Sequence, residues 1–198
     1  MKNLGEPYVI ADLTEDILES VNSEEVYKQL QFNQGKIAKD AIGLGDNVVV
    51  GGAPSKEIRQ GKVAWIVSED LKQVFFDTVQ EINIAAKWHL NITEMSDIQY
   101  GVYDVGDFYD WHIDQKTGPN EGLVRKISMT CFLNEDYEGG ELDIELNKPD
   151  WGDKRYISFK EKPGSIIFFH SDAWHRVRPV TSGVRRSLVA WFFGPAYV

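Results

Sequence analysis

Cysteine is nearly absent. The 198 residues hold one, Cys131, so no intramolecular disulfide can staple the fold and zinc sites built from several thiolates are excluded. A reducing, cytoplasmic setting is the natural expectation for such a chain. Long apolar runs are lacking too: no stretch approaches the roughly 20 residues of a transmembrane helix. The N-terminal MKNLGEPYVIADLTEDILES turns acidic before a signal-peptide core could form. No membrane partner is expected.

Positive charge is scarce: 21 Lys and Arg stand against 31 Asp and Glu, a formal net charge of -10. Nucleic acids and anionic bilayers are held by Lys and Arg that displace counterions, so neither is an expected partner. The deficit is uneven. Residues 1–153 carry 13 basic and 29 acidic side chains, whereas 154–198 carry 8 and 2. The acidic remainder would suit a basic peptide. Also missing are a Gly-x-Ser-x-Gly elbow, a phosphate-binding glycine loop, a dinucleotide fingerprint, internal repeats and low-complexity tracts. Cys131, inside the apolar Ile127–Leu133 run, reads as a small buried hydrophobe rather than a nucleophile.

What is present is core material, 42% hydrophobic and 12% aromatic, enough for one domain over residues 1–198. Residues 1–95 read as helices, loops and supporting strands. Tyr8-Val9-Ile10 is strand-like, and Asp12 can cap a helix with Leu13, Ile17, Leu18 and Val21 on one face. Asn33 to Gly61 is punctuated by glycine, with Val48-Val49-Val50 as a candidate strand. Ser68, followed by Glu69 and Asp70, starts a second helix whose apolar face runs through Leu71, Val74, Phe75, Val79, Ile82 and Ala86, a core-packing support.

Beyond residue 96 the period shortens. Candidate strands are Ile98–Tyr103, Lys126–Leu133, Glu141–Leu146, Tyr156–Phe159, Ser165–His170, His175–Pro179 and Arg186–Phe193. Gly118-Pro119-Asn120, Gly139-Gly140, Pro163-Gly164 and Ser182-Gly183 separate them. Seven short strands over about a hundred residues point to an antiparallel sandwich or barrel with the helices packed on one sheet.

Four histidines are available for chemistry: His89, His112, His170 and His175. His112 and Asp114 are spaced His-x-Asp, which on an extended segment puts both on one face. With a second histidine from a distant strand, that pair becomes the two-histidine, one-carboxylate set of non-haem iron(II) oxygenases. Alone, the spacing also fits a surface loop. The C-terminal segment adds His175 and, after the Ser182-Gly183 turn, Arg185 and Arg186. An arginine near the metal can hold the far carboxylate of a 2-oxo acid through a bidentate fork. Alternation back from Trp191 places Arg185, Ser187 and Val189 on the same face as Trp191 and Arg186 on the other. His170 ends an apolar strand and reads as a packed or rim residue. His89 reads as a helix-end dipole partner.

The pattern Tyr-x-x-Gly-x-x-Tyr-x-x-His-x-Asp from Tyr103 to Asp114, Gly-Gly-Glu-Leu from Gly139 to Leu142, and the Pro-Gly…His-x-Val-x-Pro-Val…Gly-x-Arg…Trp tail from Pro163 to Trp191 resembles the iron(II)- and 2-oxoglutarate-dependent dioxygenases. Within them it resembles the prolyl 4-hydroxylase-like, PKHD-type group. The resemblance implies a mainly β fold with supporting α-helices, a double-stranded β-helix (jelly roll, cupin-like), with residues 96–198 as its catalytic core. It implies His112, Asp114 and His175 as catalytic metal ligands, Arg185 on the distal carboxylate of 2-oxoglutarate, Tyr103 at the cosubstrate, and Val177 and Trp191 lining the pocket. Where hypoxia-sensing prolyl hydroxylases carry a cosubstrate-binding tyrosine, Phe132 stands here, and Ser128 on the same strand face is the candidate replacement.

Implied with it are iron(II), 2-oxoglutarate and O2, with ascorbate as an optional reductant, and a hydroxylation that releases succinate and CO2. The implied substrate is a protein or peptide side chain, proline first, or else a free amino acid or small metabolite. The rival readings are a catalytically silent metal- or sugar-binding jelly roll, which has no use for the arginine, and a zinc hydrolase, which leaves the C-terminal tail unexplained.

Overall fold

A computed structural model describes residues 7–34, 58–115, 122–146 and 155–196. The N-terminal part contributes β1 (Tyr8–Asp12), α1 (Glu15–Asn22), α2 (Glu24–Gln29), β2 (Asn33–Gln34), β3 (Arg59–Gln60), β4 (Lys62–Ile66) and α3 (Glu69–Ala85). Strands then follow almost without break: β5 (Glu94–Met95), β6 (Ile98–Tyr103), β7 (Phe108–His112), β8 (Leu123–Phe132), β9 (Tyr137–Gly139) and β10 (Leu142–Glu145). The last five are β11 (Tyr156–Phe159), β12 (Ser165–His170), β13 (His175–Val177), β14 (Val180–Gly183) and β15 (Arg185–Pro195).

The strands pair antiparallel into a larger sheet, ordered β1-β12-β8-β15-β6-β4-β2 with β5 on the end of β15, and a smaller one, ordered β11-β10-β13-β7-β3. A separate pair, β14-β9, bridges the turn before β15. Alternation along the strands decides what each face of the larger sheet meets. Ile166 and Phe168 point outward with Ile127, Met129, Leu188 and Phe192, into a cluster completed by Phe75, Val79 and Ile82 of α3. Ile167 and Phe169 point inward, against Leu142, Ile144 and Val177 of the smaller sheet.

α3 starts where its capping chemistry says it should, with the Ser68 hydroxyl accepting from the Leu71 amide at 3.3 Å. Leu71, Phe75, Val79, Ile82 and Ala86 are buried, and Val74 is half-buried. The first helix differs from expectation: Thr14, not Asp12, is its N-cap residue. Asp12 ends β1 opposite Ser165, and its carboxylate accepts from the Ser165 hydroxyl at 2.9 Å, so strand pairing takes the residue before the helix can.

The expected bounds of β6, β11 and β12 coincide with those observed, while β8 and β15 are longer than expected and β13 stops at Val177, short of Pro179. Val48–Val50 and Gly118–Asn120 lie outside the described residues. α3 ends with the amides of Trp88 and His89 both donating to the Asn83 carbonyl, so backbone rather than the exposed His89 imidazole closes that terminus. Among the described residues no helix is long and apolar enough to cross a membrane.

Candidate active site

β7 and β13 are neighbours in the smaller sheet, and their register sets His112 directly opposite His175. The two rings lie 4.0 Å apart between centroids. Asp114, two residues past His112, closes the group: one of its carboxylate oxygens is 3.8 Å from His112 Nε2 and the other 3.4 Å from His175 Nε2. Ligand atoms from all three residues lie within 4.8 Å of one another. Donors bound to one ion at roughly 2.1 Å sit about 3–4 Å apart, so the set fits a single metal with small adjustment.

The rings are held for that purpose. His112 Nδ1 is 2.8 Å from the Asp110 carbonyl and His175 Nδ1 is 3.0 Å from that of Ala173. A carbonyl can only accept, so both Nδ1 atoms carry the proton and both Nε2 lone pairs face the shared point. Burial and the neighbouring His175 push the His112 pKa down to about 3, which keeps its ring neutral at pH 7. Burial alone would raise the Asp114 carboxyl; the positive charge of Arg125, 4.0 Å from its Oδ1, opposes that. Tyr109 stacks on His112 at 3.5 Å and 12°, and burial pushes its phenol up to about 12.

Behind Asp114 stands a buried hydroxyl relay. Ser128 Oγ donates to Asp114 Oδ2 at 2.8 Å and is 2.9 Å from Ser171 Oγ. The Ser171 carbonyl accepts from the amides of Asp114 and Gln115. Ser128 is expected at the cosubstrate; in the structure its contact is with the carboxylate instead, because β8 carries it behind Asp114 rather than into the open cavity. The missing phenol at Phe132 therefore has no substitute in Ser128. Ser171 itself carries no sequence signal beyond its place four residues before His175.

A cavity of about 420 Å³ opens over the three ligands, and Tyr103, Val177, Arg185 and Trp191 all line it. Arg185, Ser187, Val189 and Trp191 line it together, as alternation along β15 requires, while Arg186 lies on the opposite face over Tyr27. Arg185 is 1% exposed, packed between the rings of Tyr103 and Phe132, each 5.4 Å from its Cζ. One of its nitrogens donates to Ser187 Oγ at 2.9 Å. Nε and Nη2 have no hydrogen-bond partner among the described residues. A buried cation with two unpaired N–H groups is costly unless an anion completes it, and a carboxylate matches that fork. Gly140 backs the stem of Arg185: a Cβ there would lie 2.9 Å from Arg185 Cδ.

Two further arginines reach the cavity without being foreseeable from motif or spacing. Arg59 has its Cζ 4.7 Å over the Tyr109 ring, and Arg125 has its Cζ 4.0 Å over Trp191. His170 lies away from the ligands, edge-on to Trp88 at 4.9 Å.

Comparison with known proteins agrees with this geometry. Residues 98–193, close to half of the chain, match the model of the 2OG-Fe(II) oxygenase superfamily. Members use iron(II), 2-oxoglutarate and O2. Within the superfamily the similarity is to PKHD-type hydroxylases. One from Synechococcus sp. (strain CC9902) is 39% identical over 90 residues, 44% of this chain and 37% of that protein, so the chain matches well under half the length of that relative.

In fold the chain is similar to the viral collagen prolyl hydroxylase of Paramecium Bursaria Chlorella virus-1, solved with 2OG, with a TM-score of 0.65 at 20% identity over 96% of this chain and 97% of that one. It is also similar to a Trichoplax adhaerens prolyl hydroxylase in complex with a hypoxia inducible factor peptide fragment, with a TM-score of 0.63 at 20% identity over 94% and 83%. The fold is a double-stranded β-helix.

Proposed function

We propose that the chain is an iron(II)- and 2-oxoglutarate-dependent hydroxylase of a protein or peptide side chain, proline first, with succinate and CO2 as coproducts. A single observation carries the reading. The ligand atoms of His112, Asp114 and His175 converge at one place in a cavity where Arg185 also presents two unpaired N–H groups. A hydrolase has no use for that arginine, and a silent binding module has no use for the pair. The peptide class rests on likeness to prolyl hydroxylases, one of them solved with a peptide. A free amino acid or small metabolite is the second reading, favoured by the modest volume of the cavity, about 420 Å³.

In this reading His112 and His175 supply Nε2 lone pairs, and Asp114, held by the Ser128 hydroxyl, supplies a carboxylate oxygen. Iron(II), when bound, supplies the activation of O2. Arg185 orients the cosubstrate by its distal carboxylate, and Tyr103, Val177 and Trp191 shape the space beside it. Overall, O2 takes two electrons from the decarboxylation of 2-oxoglutarate and two from the substrate C–H bond. One oxygen atom ends in succinate and the other in the new hydroxyl. β1, β2 and β4 of the N-terminal part lie in the same sheet as β8 and β15, which supports reading residues 1–198 as one working unit. The lone, buried thiol of Cys131 supports a cytoplasmic setting.

The test is succinate formation by the purified protein with iron(II), 2-oxoglutarate and O2, together with calorimetric binding of 2-oxoglutarate. Arg185→Ala should weaken that binding at least tenfold. Absence of both binding and succinate, with hydrolysis supported by zinc, overturns the reading. Equal affinity in the Arg185 variant removes that residue from its role.

A further inference from the structure

The cavity holds more positive charge than the proposed chemistry uses. In that reading, on which this inference rests, a divalent ion and Arg185 are balanced by Asp114 and the two carboxylates of a 2-oxo diacid. Arg59 and Arg125 remain. Arg59 is 7% exposed. Its one side-chain hydrogen bond among the described residues goes to the neutral Gln99, at 2.8 Å. Among the described residues Arg125 reaches a single carboxylate, Asp114 Oδ1, at 4.0 Å, which is already committed to the ligand set, and it donates from Nη1 to the Asp114 carbonyl at 3.4 Å. Nε of both arginines is buried and has no hydrogen-bond partner among the described residues.

Stacking explains part of this arrangement and leaves the rest. Tyr109 under Arg59 and Trp191 under Arg125 fix each guanidinium by its face. A planar guanidinium held by its face still directs its N–H donors outward in its own plane. Both side chains line the cavity.

Strand register separates these two arginines from Arg185. Gln99, the partner of Arg59, is opposite Val189, and Arg125 stacks on Trp191. Val189 and Trp191 lie four and six residues beyond Arg185 along β15, roughly 13 and 20 Å at the usual rise. Trp65, 6.4 Å from Trp191 and 51% exposed, marks that end as the mouth. Arg185, 1% exposed, marks the floor. One dicarboxylate held at the floor leaves the pair at the mouth unsatisfied.

We propose that Arg59 and Arg125 form an anion subsite at the cavity mouth, so that the substrate presents a carboxylate or similar anion beside the C–H bond to be hydroxylated. That anion can be the carboxylate of a free small acid or an acidic side chain next to the target residue in a peptide. Both sources share the chemistry the two forks recognise.

The experiment is anaerobic calorimetry on the protein loaded with iron(II) and 2-oxoglutarate, using two matched probe pairs. The first pair is N-acetylproline and its amide. The second is a blocked tetrapeptide with aspartate following proline and the same peptide with asparagine. At least one acidic member should bind about tenfold or more tightly than its neutral twin. Preference in the first pair identifies a free acid, and preference only in the second identifies an acidic peptide. In Arg125→Gln and Arg59→Gln the gap should fall below about threefold, with the neutral twin as the control for folding; the native protein's discrimination needs no variant at all.

If 2-oxoglutarate binds and neither pair discriminates, the subsite is wrong and the proposed function stands. A gap that survives in both variants also overturns it. If 2-oxoglutarate does not bind, the proposed function fails, and the same pairs titrated into protein carrying iron(II) alone decide the subsite by the same criterion.

Discussion

The two faces of the larger sheet are made by the same strands and solve opposite problems. Outward, Ile127, Met129, Phe168, Leu188 and Phe192 meet Phe75 and Val79 of α3, all of them 0% exposed, in a cluster of the apolar side chains that give most packing energy per residue. Inward, the alternating partners Arg185, Ser187 and Trp191 face the cavity. Of the seven buried side-chain polar atoms without a partner among the described residues, five belong to Arg59, Arg125, Arg185 and Trp191, which line it. Folding is driven by the outer layer, while the inner layer keeps unmet hydrogen-bonding capacity for ligands. The outer face of the smaller sheet follows a third rule, electrostatic: Asp143, 0% exposed, accepts at 2.8 Å from both Arg176 and Arg178.

Substitutions should separate these layers. The largest effect belongs to the inner one. His112→Ala removes a ligand, and tight iron(II) binding should be lost altogether by calorimetry, with a urea unfolding midpoint near that of the apoprotein. Phe75→Ala should do the reverse, costing about 3–5 kcal/mol in urea unfolding while the surviving folded protein still binds iron(II). An equal loss of metal affinity would show that the layers are not separable.

Asp143→Asn leaves two arginines facing an uncharged group, at a cost of about 3 kcal/mol at pH 7. Burial raises the Asp143 carboxyl, yet hydrogen bonds from Arg178, Ser158 and Arg176 win and hold it below its ordinary value. A depressed folded pKa means stability that is present at neutral pH and lost as pH falls below about 4 and on through the folded value. The native protein should therefore lose more stability than the variant between pH 5 and 3.

Ser128→Ala should weaken iron(II) binding about 10- to 100-fold by freeing the Asp114 carboxylate, and a cysteine at 128 should not restore it. The smallest effect lies outside all three layers. Glu24→Gln breaks an ion pair whose side chains are 72% and 87% exposed, and should change stability by no more than about 0.5 kcal/mol.

Much of the core was legible because alternation and turn residues agree with the final pairing. Ile98–Tyr103, Tyr156–Phe159 and Ser165–His170 are all flanked by turn formers. The site was half legible. His112, Asp114 and His175 carry a spacing with chemical meaning, and parity along β15 places Arg185 inward and Arg186 outward. Arg125 was not readable, for a specific reason. Ile127, Met129 and Cys131 face outward, so alternation puts Arg125 outward with them. The register between β8 and β15 slips between Phe192 and Phe193, so Ile127 opposes Phe192 and Arg125 opposes Phe193. That bulge turns Arg125 to the cavity side, and nothing local in the sequence announces it.

Arg59 was hidden differently, in a two-residue strand too short to show a period. Net charge misdirects as well, since a count of -10 averages over solvated surface and says little about a cavity lined by three arginines. The anion subsite proposed at the mouth runs against the basic peptide which that count would suggest.

Gly140, with φ +65° and no room for a methyl group before Arg185 Cδ, works as a gauge block behind the cavity floor. Any side chain placed there would meet the guanidinium stem, so the seat of the arginine depends on a neighbour that has only a hydrogen atom to put in its way.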